Sequence, residues 1–519
     1  MSHMKHITIT RLLALLLVMA GATSCEKFLD ERPSKNSSLP VETVAQLNAL
    51  LENFNIYYAD QNPGFLHTDD YGLTKALYDA RPAVNNFVAN LLHAFWDTEN
   101  IPTATSGDLL WGSTSGEWRD VFYANAVLAN VDKVDGTPEE KTRIKADAHL
   151  IRAYAYWQMV ETYCLPYTDA RKGEPGLPIK RSPSFQEDLK RATLDETFQF
   201  LEADLKEALK INKPLVVVGR PQHWRSSTAA ANGFAARYYL SRHNYAEALK
   251  YADLALSEYS VLQDYNVSTG MRYGNNQTVA LNAGTPNAST FTIRYPYTHN
   301  NQIDLVDMVS WKEFLYFRML NYGSWWYIPS QELLDLYDKT NDLRYEYHIV
   351  EGYSYDRGMN TSPAYNYPGY IHFFKDRLPS GPTTAEMYLI RAECLARTGN
   401  AAGAMTAINT LRARRMKPGA WVNLTANSPA NAVTKVLQER RREMPFGMRW
   451  YDIRRLNHNS DPSDDVIITK TFYPVNLTGA VTSQPPVTIT IPKDSRKYAL
   501  PLPFADILSS QGQLEQNKY

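Results

Sequence analysis

Two stretches of this 519-residue chain echo one another across a long gap, and that echo constrains the fold more than any other feature. Ala229–Leu256 can be laid on Ala385–Arg412 in register, so that Ala236 falls on Ala392 and Ala248 on Ala404. In each copy the two alanines lie twelve residues apart and straddle a short break, Arg242-His243-Asn244 in one and Thr398-Gly399-Asn400 in the other. Small residues so placed let two antiparallel helices approach closely. The chain is therefore expected to be built on helix pairs.

The echo resembles the tetratricopeptide helix–turn–helix. A plain tandem array is not expected, because the copies are separated by a long insertion and such units need stacked neighbours to bury their faces. Other helices read from apolar residues spaced three and four apart. One runs through Val121, Phe122, Ala126, Val127 and Val131, and another through Ile144, Ala148, Ile151, Ala155 and Met159. Thr193 begins a third, with Glu196 at the capping-box position and Leu194, Phe198, Leu201, Leu205 and Leu209 on one face. Helix returns around Ala432–Leu456, where Pro445 should cut it. The helix pairs thus fall within about 117–257 and 385–456. Loop-rich insertions occupy about 62–116 and 265–382, and a Pro-punctuated loop spans Asp461–Pro486.

The amino terminus carries different information. Lys5, His6 and Arg11 precede the apolar run Leu12–Ala20, small residues follow, and Cys25 comes directly after Thr23-Ser24. That order is a secretory signal, and its apolar run is shorter than the ~20 residues a membrane-spanning helix needs. A cysteine at that point resembles a bacterial lipobox. Residues 1–24 then form a signal peptide and 25–40 a polar, lipidated tether, with 41–519 as one domain. Two or more acyl chains at Cys25 would give stable anchoring where one would not.

Composition excludes several classes. The chain is 44% hydrophobic and 21% charged with a net charge of −1, so neither nucleic acid nor an anionic bilayer surface is indicated as a partner. Beyond Cys25 only Cys164 and Cys394 remain, both in apolar helical patterns, which reads as two buried free thiols. There is no HExxH motif and no Gly-rich phosphate loop. Gly112-Ser113-Thr114-Ser115-Gly116 only mimics a nucleophile elbow, since its centre is Thr and no strand precedes it. No catalytic residue, cofactor or metal is indicated.

Aromatic residues are abundant, with 34 Tyr and 10 Trp, and many fall in irregular stretches. Trp118, Trp157 and Trp450 lie on helical patterns and read as core. Trp311, Tyr322, Trp325 and Trp326 surround Asn321-Tyr322-Gly323-Ser324, and adjacent tryptophans in an extended segment point to opposite faces. Trp96 and Trp111 form a second group with Asp69-Asp70 nearby in sequence, and Tyr273 is a weaker candidate beside Asn275-Asn276. Flat rings with amide, carboxylate or guanidinium groups at hand suit a sugar, whose C–H face stacks while its hydroxyls take directional bonds. Each stacked ring adds about 0.5–1.5 kcal/mol beyond area burial, by analogy with aromatic pairs, so several are needed. The run Glu439-Arg440-Arg441-Arg442-Glu443, with Arg449, Asp452, Arg454 and Arg455, reads as charges pairing with one another at helical spacing. Asp69 and Asp70 are adjacent, and adjacent carboxylates seldom converge on one bond.

Segments along the whole mature chain carry a further resemblance. They are Cys25-Glu26-Lys27-Phe28-Leu29-Asp30, Trp118–Leu128, Leu150–Trp157, Glu386–Ala396, Glu439–Glu443, Arg449–Arg455, Leu500-Pro501-Leu502-Pro503 and Gln516-Asn517. Together they resemble the SusD/RagB family of outer-membrane lipoproteins. The departure is Glu443-Met444-Pro445-Phe446-Gly447, where the family more often has an unbroken helix. The resemblance implies a mostly α fold, with tetratricopeptide-like helix pairs as scaffold and long, irregular, aromatic-rich insertions as ligand surface. It implies a lid at the extracellular face of the outer membrane, on a SusC-like TonB-dependent transporter, that binds oligosaccharide and passes it on uncleaved. Rival readings are the same lid for peptide or another nutrient, a protein-only helical-repeat adaptor, and a glycan-cleaving enzyme. Coplanar exposed rings favour sugar, a deep charged cleft peptide, and two carboxylates roughly 5–10 Å apart an enzyme.

The anchor is open to test. A fatty-acid probe fed to cells should label the wild-type protein and not Cys25→Ala, which should appear in soluble fractions or remain unprocessed. Equal labelling of both would remove the lipid from Cys25.

Overall fold

The structure is a computed structural model that describes residues 41–73, 88–104, 116–184, 186–267, 271, 277–281, 284–293, 308–321, 327–353, 367–373, 377–483 and 485–519. Its longer helices, in chain order, are α1 (Val44–Glu52), α2 (Val88–Ala94), α3 (Glu117–Asn130), α4 (Pro138–Tyr163), α5 (Leu194–Ala208), α6 (Thr228–Ser241), α7 (Tyr245–Glu258), α8 (Thr384–Arg397), α9 (Ala401–Arg412), α10 (Pro429–Glu443) and α11 (Gly447–Leu456). Capping boxes open α1 at Thr43/Gln46, α4 at Thr137/Glu140 and α5 at Thr193/Glu196, satisfying backbone N–H groups that a helix start leaves bare.

Packing runs along the chain from α3 to α4 to α5, and then through α6 and α7 to α8, α9 and α10. The two echoing pairs, α6–α7 and α8–α9, are therefore neighbours in space although an insertion separates them in sequence. The reason lies in α8, which is apolar on two faces. Ala385, Leu389, Ala392 and Ala396 meet Ala404, Ala407, Ile408 and Leu411 of α9. Met387, Ile390 and Cys394 meet Ala236, Leu240, Ala248, Ala252 and Ala255 of the first pair. A stacked array forms, closed by α8 reaching back across the insertion. Both inter-helix turns use the same device. His243 (φ 57°) and Gly399 (φ 93°) adopt left-handed backbone, followed by Asn244 and Asn400, whose side chains accept from Glu247 and Gly403 N–H.

Pro445 does break the carboxy-terminal helical segment. α10 ends at Glu443, α11 starts at Gly447, and Phe446 between them has φ 62°. Cys164 and Cys394 are both free and buried. No described helix is long and apolar enough to cross a membrane.

Strands are few and short. β2 (Met319–Asn321) is central in a small sheet, parallel to β1 (Ala59–Asp60) and antiparallel to β3 (Arg377–Pro379). The stretch read as a Pro-punctuated loop instead contains β4 (Ile468–Phe472), antiparallel to β5 (Val487–Ile491). Ile468 and Phe472 are buried while Thr469 and Thr471 face outward, the period-two alternation of a half-buried strand.

Ala392 is wholly buried against α9. Ala392→Leu should overpack this contact and lower stability by about 1–3 kcal/mol, measured as a fall in the urea midpoint. An unchanged midpoint would misplace the close approach.

Candidate functional site

The small sheet and its surroundings gather the borders of the insertions. Asn321, the last described residue before 322–326, pairs with Arg377, the first after 374–376. On the far side of 322–326, the Tyr327 carbonyl accepts from Tyr370 N–H at 2.8 Å. Tyr370 ends a hairpin in which Tyr353 pairs with Tyr367, the two residues that border 354–366. Tyr71 bridges to Pro329, and Gly72 N–H donates to the Ile328 carbonyl at 2.9 Å, just before 74–87. The approach is close enough to require glycine. A Cβ at Gly72 would stand 2.5 Å from Ser330 Cα and 2.7 Å from the Pro329 carbonyl oxygen. Four stretches of the two insertions are thus bordered by residues bonded to one another in one region of the fold.

Five of the candidate residues, Trp111, Tyr273, Tyr322, Trp325 and Trp326, lie outside the described residues, as does Cys25. The other three are described: the Trp96 and Trp311 rings are covered, and Asp69 is paired with arginine. Trp96 is 0% exposed. Its ring meets His67 at 4.6 Å, Tyr498 at 5.2 Å and Trp450 at 5.9 Å between centroids, and Lys497 Nζ donates to its carbonyl. The Trp96 ring belongs to the core with Trp118, Trp157 and Trp450. Polar neighbours in sequence suggest a surface ring, but His67 and, from the far end of the chain, Trp450 and Tyr498 cover it.

Trp311 is 8% exposed, with its ring edge-to-face against His372 (5.4 Å) and Phe373 (5.2 Å). A cavity of about 40 Å³ beside it is lined by Tyr370, His372, Leu378 and Met448 among others. That volume suits a water molecule and not a sugar ring. His372 stacks on His348 at 4.5 Å. Burial pushes His348 down to about 4, and burial with the neighbouring His348 pushes His372 well below the usual imidazole range. Both rings are neutral at pH 7. Sequence does not single out Tyr370 or His372, because only the fold brings them to Trp311.

Asp69 serves as an ion-pair partner. Arg449 Nη2 lies 2.8 Å from its carboxylate and Arg441 Nη2 3.2 Å, with the Asp69 side chain 15% exposed. Burial alone would raise its pKa, but the Arg449 and Arg441 guanidiniums outweigh that and hold the carboxyl well below the ordinary range. Asp70 pairs with Arg441 Nε at 2.6 Å and accepts from Phe446 N–H at 2.9 Å. The two carboxylates are each engaged by arginine.

Among family descriptions, "starch-binding associating with outer membrane" matches residues 27–240 and "SusD family" matches residues 384–519. The chain belongs to the SusD/RagB family. Solved SusD structures share its fold at low sequence identity. A SusD superfamily protein from Bacteroides thetaiotaomicron is 16% identical, with a TM-score of 0.59 over 92% of this chain and 100% of that one. A SusD-like carbohydrate binding protein from Bacteroides vulgatus is 18% identical, with a TM-score of 0.57 over 91% and 97%. A laminarin binding SusD-like protein is 17% identical, with a TM-score of 0.51 over 92% and 99%. No curated protein matches the chain in sequence. The mostly helical SusD fold that the resemblance implies is the fold observed.

The Asp69 pairs generate a prediction with a definite sign. A folded-state pKa below the unfolded value means the stabilisation is complete above the unfolded carboxylate value near ~4 and is lost as pH falls below it. Asp69→Ala should cost about 3–5 kcal/mol at pH 7, because Arg449 is left buried and unpaired. Urea titrations repeated at falling pH should show the gap between variant and wild type narrowing below that value. A gap independent of pH would mean that the charge pair contributes nothing.

Proposed function

We propose that this protein is a non-catalytic, glycan-binding lipoprotein of the outer membrane, anchored at Cys25 on the extracellular face. It passes oligosaccharide to a SusC-like TonB-dependent transporter. The observation that supports the reading is the convergence of the insertion borders around the sheet of β1, β2 and β3, where Asn321 and Tyr327, the described residues on either side of 322–326, bond to the stems of other insertion stretches. Family membership supports the membrane setting, since the matching description is of starch-binding proteins associated with the outer membrane. The laminarin binding protein of similar fold supports a glycan as cargo.

The ligand rings are assigned to Trp325 or Trp326, with Tyr322, Trp111 and Tyr273 secondary. Trp96 and Trp311 are left out because their rings are covered. A lid must hold a long glycan loosely enough to release it. A shallow aromatic arc meets that demand better than a closed pocket, which would bury most of its ligand. Cleavage would need two free carboxylates flanking the bond, and the adjacent pair Asp69-Asp70 is taken up by Arg441 and Arg449.

Isothermal titration with laminarihexaose and maltohexaose is the test. Replacing both Trp325 and Trp326 by Ala should weaken binding by about 2 kcal/mol or more, as loss of a central hot spot does, with the melting temperature unchanged. Trp96→Ala should do the opposite, losing about 3–5 kcal/mol of stability as a core truncation. Unchanged affinity in the folded double variant would move the site away from 322–326.

A further inference from the structure

Between α9 and α10 the chain makes a long loop over residues 413–428, and the turn 336–342 runs alongside it. The two enclose an open groove of about 560 Å³, within the range of ligand sites, roughly 300–1,000 Å³. Trp421 stands on one wall, partly exposed, with the Arg412 guanidinium 5.4 Å from its ring centroid. Lys435, Gln438 and Arg442 line it from α10, and Asp338 lines it from the turn.

The walls are fixed from several sides. Asn409 bonds Leu424 twice at 2.9 Å, through both its amide nitrogen and its oxygen. Lys435 Nζ donates to the Thr425 carbonyl. Asp342 bridges to Met416, Leu343 N–H donates to the Arg415 carbonyl, and Lys417 Nζ donates to the Thr340 carbonyl. A loop of sixteen residues without regular structure is thereby tied to both neighbouring helices and to the turn opposite. The groove is preformed, so a ligand would bear little ordering cost.

Its chemistry is mixed in sign. Arg412 and Arg442 both pair with Glu439 behind the groove, at 3.0 and 2.5 Å. Arg344 shares that carboxylate and also pairs with Asp342 and Glu443, and Arg415 joins Glu443 to Glu313, so four guanidiniums meet four carboxylates and the network carries no net positive charge. What remains toward solvent is the Lys435 ammonium, the exposed Gln438 amide and the exposed Asp338 carboxylate, all near one aromatic ring. A phosphate or an acidic peptide calls for a cluster of one sign. Donors and acceptors around a flat ring call for hydroxyls, which are both, on a body with a C–H face. We propose that this groove is a second carbohydrate-contact site, with Trp421 as its stacking ring and Lys435, Gln438 and Asp338 as its hydroxyl partners, for a short stretch of a neutral oligosaccharide. The proposal rests on the reading of the protein as a glycan binder, but on residues separate from 322–326.

Fluorotryptophan incorporated into the mature chain gives a fluorine NMR signal for each ring, and Trp421→Phe assigns the relevant one. With laminarihexaose or maltohexaose the Trp421 signal should shift saturably. The shift should weaken roughly tenfold in apparent affinity in the Lys435→Ala/Gln438→Ala double variant, equivalent to about 1.4 kcal/mol. It should persist when Trp325 and Trp326 are both replaced by Ala. A Trp421 signal that neither sugar moves, while calorimetry shows binding abolished by the Trp325/Trp326 change, would overturn the groove and leave the proposed function standing. A Trp421 shift alongside calorimetry indifferent to Trp325 and Trp326 would support the groove and displace the proposed primary site. A protein that binds neither sugar by either method would overturn both.

Discussion

Buried arginine–carboxylate pairs centred on α10 and α11 hold together parts of the chain that no local packing could bring into register. Arg440 Nε lies 2.8 Å from Asp452, and Arg455 reaches Asp452 at 2.9 Å and Glu393 of α8 at 2.6 Å. Arg441 and Arg449 take Asp70 and Asp69 from the amino-terminal loop. Arg344 contacts Glu439 and Glu443, and Arg415 joins Glu443 to Glu313, all at 2.7–2.9 Å. Four separate stretches of chain pair directly with the two helices, and Glu313 joins them through Arg415. Removing one member of such a pair costs about 3–5 kcal/mol, because the other is left charged and buried. The intact pairs give less net stability than that figure suggests, since desolvation offsets much of the attraction. Glu393 shows the balance. Burial raises its pKa, yet Arg455 and Arg397 outweigh burial and bring it down to about 2.

The helical stack and the ionic lattice divide the work. Hydrophobic contact between α6–α7 and α8–α9 depends on small and aliphatic residues at fixed spacing, and would accept many equivalent partners. A bidentate arginine does not. Arg237 donates from Nε and Nη2 to the two carboxylate oxygens of Glu386, at 2.9 and 2.6 Å, while Nη1 reaches the Ser380 carbonyl. That geometry sets how α6 meets α8 and where the chain after β3 must pass. The stack thus supplies apolar burial at its own contacts, and the lattice selects one arrangement of the loops around it.

This division explains which features could be read from the sequence. Helices, capping boxes and the paired alanines follow from spacing within one segment, so Thr193 with Glu196 and Ala236 with Ala248 were legible at once. The charge run 439–443 was legible as structural glue, but its partners were not. Only Arg442–Glu439 is a helical neighbour, whereas Arg441 pairs with Asp70 and Arg344 with Glu439 across long stretches of chain. Trp96 fails for the same reason. Its sequence neighbours are polar, and the residues that bury it, His67, Trp450 and Tyr498, are close only in the folded chain. β4 was hidden by its setting among prolines, although Ile468 and Phe472 carry the alternation of a strand. Trp421 gave no signal, because a single ring in a polar loop differs from any other until a groove forms beside it.

The lattice also reaches the candidate ligand surface. Asp70 binds Arg441 and accepts from Phe446 N–H, which fixes the chain just before Gly72. Gly72 N–H donates to Ile328, the Asp70 carbonyl accepts from Ser330 N–H, and the Tyr327 carbonyl accepts from Tyr370 N–H. The roots of the insertions are therefore tied, through two or three bonds each, to α10 and α11. A change in the lattice would thus reach the roots bonded to it. Such an arrangement holds the roots in one position relative to the helical scaffold.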